Sequence, residues 1–207
     1  MGEDVSKGGL LARREIEARI TGPLIRSFVE VFGRERILRI AEKVLAEIAR
    51  EKGTLLKEQC GGDSLEHFAR GYLFRSCEEV EASVNASGSM GKKRAKPENK
   101  ARVFWCEDGA IKLELLERQP HKLSLNVMEC LFSEMYQDLG LAEFGYLLSC
   151  GRDFPMIEGF NPKISMQRTQ TVMEGAENCD FRFELPEHDG SSSPVAEEIK
   201  PKHTFYK

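Results

Sequence analysis

The chain has 207 residues, of which 41% are hydrophobic and 31% are charged, so it is long enough to bury a core and has a globular composition. Its formal net charge of −4 argues against general affinity for nucleic acid. No run of about 18 apolar residues is present, which excludes a membrane-spanning helix. The N-terminus lacks the basic and apolar regions of a secretory signal, so we expect a cytoplasmic protein.

The cysteine content and the absence of several common motifs exclude further classes of function. For a chain of this size without an export signal, we expect reduced thiols rather than a disulfide framework. The sequence contains no CxxC, HExxH, glycine-rich phosphate loop or GxSxG motif, so the commonest zinc, nucleotide and serine-hydrolase signatures are missing. The six cysteines are Cys60, Cys77, Cys106, Cys130, Cys150 and Cys179.

Apolar residues recur every three or four positions in the first part of the chain, which predicts helices. The first helix is expected over 10–32, kinked or divided at Thr21-Gly22-Pro23, and the second over 34–50. A third is expected over about 64–75. The first two helices could pair as a hairpin, and a homodimer could form through them.

Several short segments within residues 103–186 are β-prone or alternate with period two, and they predict a sheet. The predicted fold class is α+β, with N-terminal helices packed on an antiparallel sheet of two hairpins and a helical insert between them. The expected elements are strands 103–106 and 111–115 around an Asp-Gly turn, a short strand near 121–125, a helix over 127–139, a short helix within 141–150, and strands 164–172 and 179–185.

The domain prediction is one α+β unit with flexible ends. We expect a flexible lead-in over 1–9, a single domain over 10–186 and a disordered tail over 187–207. Within the domain, a helical part over 10–82 is separated from the sheet and central helix over 103–186 by a basic, mobile loop over 83–102.

The predicted helix after Asn126 has the most informative spacing. Asn126, Cys130 and Glu134 recur every four residues and would share one helical stripe. A thiol beside a carboxylate could form a nucleophile with a proton-handling partner. Alternatively, Asn126 and Glu129 cap the helix and Cys130 is a small core residue. The spacing alone leaves both alternatives open.

Two further segments bring cations close to a carboxylate or to apolar residues. Cys150 precedes Arg152 and Asp153, which could lower the pKa of the thiol or mark a buried cysteine before a charged loop. Alternation over 164–170 places Arg168 on an apolar face of its strand. A guanidinium there needs an anionic partner, either a protein carboxylate or a ligand.

The last predicted strand begins with Cys179 and Asp180. Period two turns Cys179 towards the core and Asp180 towards the opposite face, where Arg182 or Arg168 could pair with it.

Three cysteines flank one helix-and-hairpin unit, so a three-thiolate metal site is conceivable. Cys130, Cys150 and Cys179 are separated by 20 and 29 residues, which matches no known zinc pattern. We therefore expect no resident metal or other cofactor.

Several segments together resemble one known family. They resemble its central helix, its C-x-x-D step and its C-terminal signature, and on them the sequence is similar to the bacterial L-2-amino-thiazoline-4-carboxylic acid hydrolases. The resemblance covers about residues 12–185, and its sharp motifs lie within 126–182. The motifs are Asn126 to Gly140, Cys150-Gly151-Arg152-Asp153, Phe160-Asn161-Pro162, Arg168-Thr169-Gln170-Thr171, and Gly175 followed by Cys179-Asp180-Phe181-Arg182.

The resemblance implies ring-opening hydrolysis of a small cyclic amidine or thiazoline carboxylate. Attack at the ring carbon between nitrogen and sulfur would break a C–N or C–S bond and give a carbamoyl-cysteine. This chemistry needs a nucleophile, either a thiolate or an activated water. For the thiol we favour Cys130 or Cys150 ahead of Cys179.

The same resemblance implies groups that hold the substrate. Arg168 is the best candidate for a cation that binds the substrate carboxylate. Asp153 or Glu134 would serve as the acid partner of the amidine. The predicted substrate-binding residues are Arg168, Asn126, Cys179 and Asp180.

The alternative function is a non-catalytic module that binds a small ligand or a metal. The ending from Gly175 to Phe181 distantly resembles the vinyl-reductase-type ligand-binding domain. A cavity lined by Cys130, Asp153 and Arg168 would favour the hydrolase, whereas a packed interior would favour the module. In both cases the expected partner is a small molecule, with no nucleic acid and no membrane.

Overall fold

The computed structural model describes residues 9–74, 78–80, 102–106 and 109–186, which form six α-helices and a six-stranded antiparallel sheet. The spatial order of the strands is β1-β2-β3-β4-β6-β5. The helices are α1 (Leu10–Phe32), α2 (Arg34–Cys60), α3 (Leu65–Phe68), α4 (Leu131–Asp138), α5 (Ala142–Leu148) and α6 (Asp153–Phe160). The strands are β1 (Glu78–Val80), β2 (Arg102–Cys106), β3 (Ile111–Gln119), β4 (Lys122–Cys130), β5 (Ser165–Gln167) and β6 (Cys179–Glu184).

This architecture confirms the α+β prediction, with helices at the N-terminus and between the two hairpins. Apart from residues 9 and 102, the expected lead-in, basic loop and tail lie outside the described residues. Among the described helices, none combines the length and the apolarity needed to cross a membrane.

One face of the sheet packs against α2, α3 and α6 and forms the main core. Alternate residues of β4 and β6 point into it, as period two requires, and meet aromatic side chains of the helices. Phe68 packs against Phe160 and Phe183, with ring centroids 5.3 and 5.6 Å away. A second core joins Ala18 of α1 and Leu38 of α2 to the apolar side chains of α4 and α5.

The first helix is not divided at Pro23, because α1 continues through it to Phe32. Gly22 packs directly on Leu141, and a Cβ at Gly22 would lie 2.4 Å from that side chain. This close packing holds the turn helical although proline removes one backbone hydrogen bond.

The second helix is longer than predicted, because α2 passes Gly53 and ends at Cys60. Gly61 follows with φ 67°, the left-handed conformation that commonly ends a helix. Gly53 serves packing instead of termination. A Cβ at Gly53 would lie 2.1 Å from the Met156 carbonyl oxygen, and a Cβ at Gly159 would lie 2.1 Å from the Arg50 carbonyl oxygen.

We therefore expect Gly53→Ala to lower the free energy of unfolding by at least ~2 kcal/mol, because the new methyl group forces α2 and α6 apart. Urea denaturation measures the loss. Glu51→Ala, an exposed change in the same helix, is the control and should stay within about 0.5 kcal/mol of the parent. Equal stability of Gly53→Ala and the parent would contradict the close contact.

The central helix predicted from 127 begins later, because residues up to Cys130 belong to β4. β4 pairs with β3 on one side and with β6 on the other, so Leu125 lies opposite both Leu115 and Phe181. The expected helical stripe of Asn126, Cys130 and Glu134 is therefore wrong. Asn126 is a mid-strand residue and does not cap a helix.

Two shorter elements also differ from the prediction. The helix expected over 64–75 is only α3, followed by a π-helical turn over Ala69–Leu73. The final antiparallel hairpin is confirmed, although β5 ends at Gln167. Beyond it, the backbone N–H groups of Thr169 and Gln170 donate to the Asp180 carboxylate at 2.8 and 3.0 Å, which takes them out of strand pairing.

The cysteines are not all reduced. Cys106 on β2 is disulfide-bonded, so the expectation of reduced thiols is wrong for this residue. Among the described residues, four cysteines form no disulfide, namely Cys60, Cys130, Cys150 and Cys179.

Candidate active site

A cavity of about 650 Å³ lies between the helices and the buried face of the sheet. Its wall includes Cys130, Cys150, Asp153, Arg168 and Cys179. These residues come from the end of β4, the turn before α6, the start of α6, the segment after β5 and the start of β6. The fold therefore gathers five of the residues named from the sequence around one space.

The three other named residues lie outside this cavity wall. Glu134 is exposed on α4. The side-chain oxygen of Asn126 accepts a hydrogen bond from Arg182 Nη2 at 3.0 Å. The Asp180 carboxylate accepts hydrogen bonds from Thr169 and Gln170, so its expected pairing with an arginine is wrong.

Arg168 and Asp153 form a buried ion pair in the cavity wall. Arg168 Nη1 lies 2.5 Å from Asp153 Oδ2, and the arginine side chain is only 2% exposed. Arg168 Nη2 donates to the Tyr146 hydroxyl at 3.2 Å and to the Cys150 carbonyl oxygen at 3.0 Å. Of the two partners expected for Arg168, the structure shows the protein carboxylate.

Aromatic rings surround the guanidinium of Arg168. Its carbon lies 5.5 Å from the ring centroid of Tyr146, 5.3 Å from that of Phe154 and 5.1 Å from that of Phe181. A cation at this distance from a ring is attracted by its π-electrons. The rings and the hydrogen bonds together fix the orientation of the arginine.

Burial raises the pKa of Asp153, although the Arg168 guanidinium and the Tyr72 hydroxyl oppose the shift. The Tyr72 hydroxyl donates to Asp153 Oδ1 at 3.2 Å. Burial lowers the pKa of Arg168, but the Asp153 carboxylate, Cys150 and Tyr146 together raise it above its usual value. A buried carboxyl with a raised pKa in a cavity is a candidate for proton transfer.

Two of the cavity thiols are kept protonated by their surroundings. Burial raises the pKa of Cys150 well above its usual value, and the Asp153 carboxylate adds to the shift. Of the two alternatives given for Cys150, the structure supports the buried cysteine and not the lowered pKa. Burial also raises the pKa of Cys179 to about 11, against a hydrogen bond that the Val172 N–H donates to its sulfur at 3.3 Å.

Cys130 has a different position. It is half-buried and is the last residue of β4, directly before α4. The N-terminal end of a helix carries partial positive charge, which stabilises negative charge on a nearby group. Cys130 is thus the cavity thiol that combines partial exposure with a helix N-terminus.

We expect Cys179 to react with iodoacetamide slowly at pH 7, and about tenfold faster for each pH unit until pH about 11. Folding raises the pKa of Cys179 above its unperturbed value of about 8.5. The protonated thiol therefore contributes fully to the free energy of unfolding below pH about 8.5, and this contribution is lost as the pH rises towards 11. Site-resolved mass spectrometry of the alkylated peptides measures the rates. Fast labelling of Cys179 at pH 7 in the folded protein would contradict its burial.

The three thiols do not form a metal centre. Within the described part of the chain, no group of three or more His, Cys, Asp or Glu side chains has an arrangement that could hold a metal ion. The conceivable site of Cys130, Cys150 and Cys179 is therefore not built.

Sequence reasoning missed Tyr72 and Tyr146, which contact the ion pair. Tyr72 lies 81 residues from Asp153 and is brought to it by the π-helical turn, a feature often found at functional sites. No local spacing pattern could have identified either tyrosine.

The family relationship rests on a match over most of the chain. A family model described as L-2-amino-thiazoline-4-carboxylic acid hydrolase matches residues 13–183. The chain belongs to the L-2-amino-thiazoline-4-carboxylic acid hydrolase family. This confirms the resemblance carried by the motifs within 126–182. The matched range contains Cys130, Cys150, Asp153, Arg168 and Cys179, so the cavity is part of the hydrolase-family domain.

Two other comparisons complete the findings. No curated protein sequence matches the chain. Among solved structures, the chain is similar to the phenol-responsive sensory domain of the transcription activator PoxR, crystallised with phenol. The identity is 10%, the match covers 89% of this chain and 84% of that domain, and the TM-score is 0.42.

Proposed function

We propose that this member of the family is a hydrolase that opens a small cyclic amidine carboxylate, a thiazoline, in the cavity between the helices and the sheet. The observation that carries the proposal is the cavity lined by Cys130, Asp153 and Arg168 within the family-matched part of the chain. This is the arrangement for which the sequence predicts a hydrolase, and it differs from the packed interior of a non-catalytic module.

Cys130 is the nucleophile in this proposal. The Cys130 sulfur adds to the ring carbon that lies between the ring nitrogen and the ring sulfur. The bond from that carbon to one of these two ring atoms then breaks, and the leaving atom takes a proton. Water then adds to the same carbon and displaces the Cys130 sulfur. The sum is one substrate and one water giving one carbamoyl-cysteine, with the thiol restored.

Asp153 is the candidate for handling the proton. Burial raises its pKa, and a raised pKa suits a carboxyl that gives and takes protons during a reaction. The Tyr72 hydroxyl and the Arg168 guanidinium hold its two oxygens in place. A substrate amidinium is also a natural partner for this carboxylate.

A second candidate function is binding of a small ligand in the same cavity without turnover. The raised pKa of Cys150 and of Cys179 favours it, because both sulfurs stay as weakly nucleophilic thiols. In that case Cys130 has no chemical role, and the cavity only encloses its ligand.

Incubation of the full chain with L-2-amino-2-thiazoline-4-carboxylate tests the hydrolase proposal. We expect time-dependent carbamoyl-cysteine, detected by chromatography and mass spectrometry, at a rate proportional to the protein concentration. Heat-denatured protein is the control. Saturable binding of the compound without any product would overturn the hydrolase proposal and support the binding module.

We also propose that the chain forms a homodimer through α1 and α2. Eight large apolar side chains on these two helices are each 48–72% exposed, so together they expose roughly 700 Å². A standard interface buries about 800 Å² on each partner, and a second copy presents the same helical surface. The eight exposed apolar side chains on α1 and α2 are those of Ile16, Ile20, Leu24, Phe28, Val31, Phe32, Ile40 and Val44.

Sedimentation velocity tests the dimer. We expect the parent chain to sediment as a dimer at micromolar concentration and the double variant Ile20→Glu with Phe28→Glu as a monomer, because charges would be buried at the interface centre. Glu15→Gln on the same helix is the control and should remain dimeric. A monomeric parent at all concentrations would contradict the proposed interface.

A further inference from the structure

The wall of the cavity is strongly cationic. Among the described residues that line it, the side chains of five are cations, whereas Asp153 is the one carboxylate. The cations are Arg13, Arg14, Lys52, Arg152 and Arg168. A wall with this charge balance favours a ligand that carries an anionic group.

Arg168 is poorly placed to supply the anion site. Its Nη1 is paired with Asp153, and its Nη2 donates to the Tyr146 hydroxyl and the Cys150 carbonyl oxygen. The guanidinium is already neutralised and fixed among aromatic rings. A ligand carboxylate would have to compete with Asp153 for it.

Arg152 is different, because its ion pair is 3.4 Å long, whereas that of Arg168 is 2.5 Å long. The Nε of Arg152 is the one buried side-chain nitrogen or oxygen without a hydrogen-bond partner in the part of the chain described here. The side chain is 14% exposed, and its Nη1 lies 3.4 Å from Glu17 Oε2. This Nε is closed to solvent, so a ligand carboxylate in the cavity would contact the terminal guanidinium nitrogens of Arg152.

Arg14 of α1 lies beside Arg152. Its Nη1 is 2.9 Å from the same oxygen of Glu17, and its side chain is 19% exposed. Burial raises the pKa of Tyr136 to about 12, and Arg14, Glu17 and Cys150 all act on that phenol. Arg14 also acts on Asp153, in the direction that favours the charged carboxylate. The contact with Glu17 and the effects on Tyr136 and Asp153 place Arg14 at the end of the cavity that holds Cys150 and Asp153.

We infer that Arg152, together with Arg14, forms the subsite that binds the carboxylate of the ligand. The inference rests on the proposed function, and it assigns to Arg152 the contact that the sequence analysis gives to Arg168. Arg152 and Asp153 are consecutive residues, so a cation and an anion face the cavity side by side. That pair suits a small zwitterion, with its carboxylate on Arg152 and its amidinium on Asp153.

Binding measurements with pairs of probes test the subsite separately from catalysis. Isothermal titration compares L-2-amino-2-thiazoline-4-carboxylate with 2-amino-2-thiazoline, and thiazole-4-carboxylate with thiazole-4-carboxamide. In each pair only the first member carries the carboxylate. We expect the parent protein to bind the carboxylate member of at least one pair tenfold or more tightly than its partner.

Three variants then locate the contact. Arg152→Gln should remove the preference for the carboxylate member and leave binding of the other member unchanged, whereas Arg152→Lys should keep part of it. Arg118→Gln, which breaks the ion pair with Glu66 away from the cavity wall, is the control and should bind like the parent. A thermal melt of each variant confirms folding, and Arg14→Gln provides a second variant if Arg152→Gln does not fold.

The outcomes separate the two proposals. A carboxylate preference that survives in both Arg152→Gln and Arg14→Gln, or a parent protein that binds no carboxylate probe, would overturn the subsite. Carboxylate-dependent binding by Arg152 without any carbamoyl-cysteine would support the subsite and overturn the hydrolase.

Discussion

Replacing Cys130 with serine is expected to lower kcat for thiazoline ring opening by roughly 10³-fold or more. Cys130 is the half-buried cavity thiol directly before α4, and the N-terminal end of a helix favours nearby negative charge. A serine hydroxyl in the same place stays protonated and is a far weaker nucleophile. Steady-state assays of carbamoyl-cysteine release measure the loss.

Two matched variants accompany this test. Cys150→Ser and Cys179→Ser remove the thiols whose pKa is raised by burial, so each should retain kcat within about tenfold of the parent. Cys179→Ser also keeps an oxygen that can accept the hydrogen bond from the Val172 N–H. Full activity of Cys130→Ser, or loss at all three positions with folding intact, would show that Cys130 is not the nucleophile.

Replacing Asp153 with alanine is expected to lower the free energy of unfolding by about 3–5 kcal/mol, because it leaves a buried charge on Arg168 without its partner. The arginine side chain is 2% exposed, so water cannot take the place of the carboxylate. The same change removes the candidate proton-handling group, so turnover should also fall. Urea denaturation measures the stability loss independently of activity.

The double variant Asp153→Ala with Arg168→Met shows the cause of that loss. Removing both charges should recover a large part of the stability, since the cost arises from the unpaired charge. Glu35→Ala breaks the exposed pair with Arg39, whose side chains are 80% and 71% exposed, and should cost under about 0.5 kcal/mol. Equal losses at the buried and the exposed pair would contradict this view of Asp153.

The helices and hairpins with strong local periodicity could be predicted from the sequence. The stripes of α1 and α2 and the alternation around β3 and β6 are local signals, and the structure has elements at those places. The C-terminal end of α2 is harder to predict, because Gly53 resembles a helix stop but fills a close contact with α6. Only the packing partner, about 100 residues away, distinguishes the two roles.

The region around Asn126 shows why the central helix was predicted too early. Residues 122–127 also alternate with period two, but the apolar residues after Asn126 fit a helix equally well. Because β4 pairs with β3 on one edge and with β6 on the other, these residues form a strand. Such pairing is long-range, so the local pattern does not contain it.

The family motifs identify the segments of the chain that form the candidate site. The spacing of residues alone does not predict which of their side chains are in contact. Arg168 and Asp153 are 15 residues apart and meet only because β5 and α6 fold to one side of the cavity. Arg152 lies within the quoted motif Cys150 to Asp153, yet only the folded structure shows that it lines the cavity.

The most direct test of the central claim is to locate the substrate on the protein during turnover. The full chain is mixed with excess L-2-amino-2-thiazoline-4-carboxylate, quenched with acid within milliseconds to seconds, and mapped by peptide mass spectrometry. We predict a substrate-derived adduct on the peptide that contains Cys130, forming before carbamoyl-cysteine and absent from Cys130→Ser. Product formation with no adduct on any of the four free thiols, or an adduct confined to another cysteine, would contradict the claim that Cys130 opens the ring.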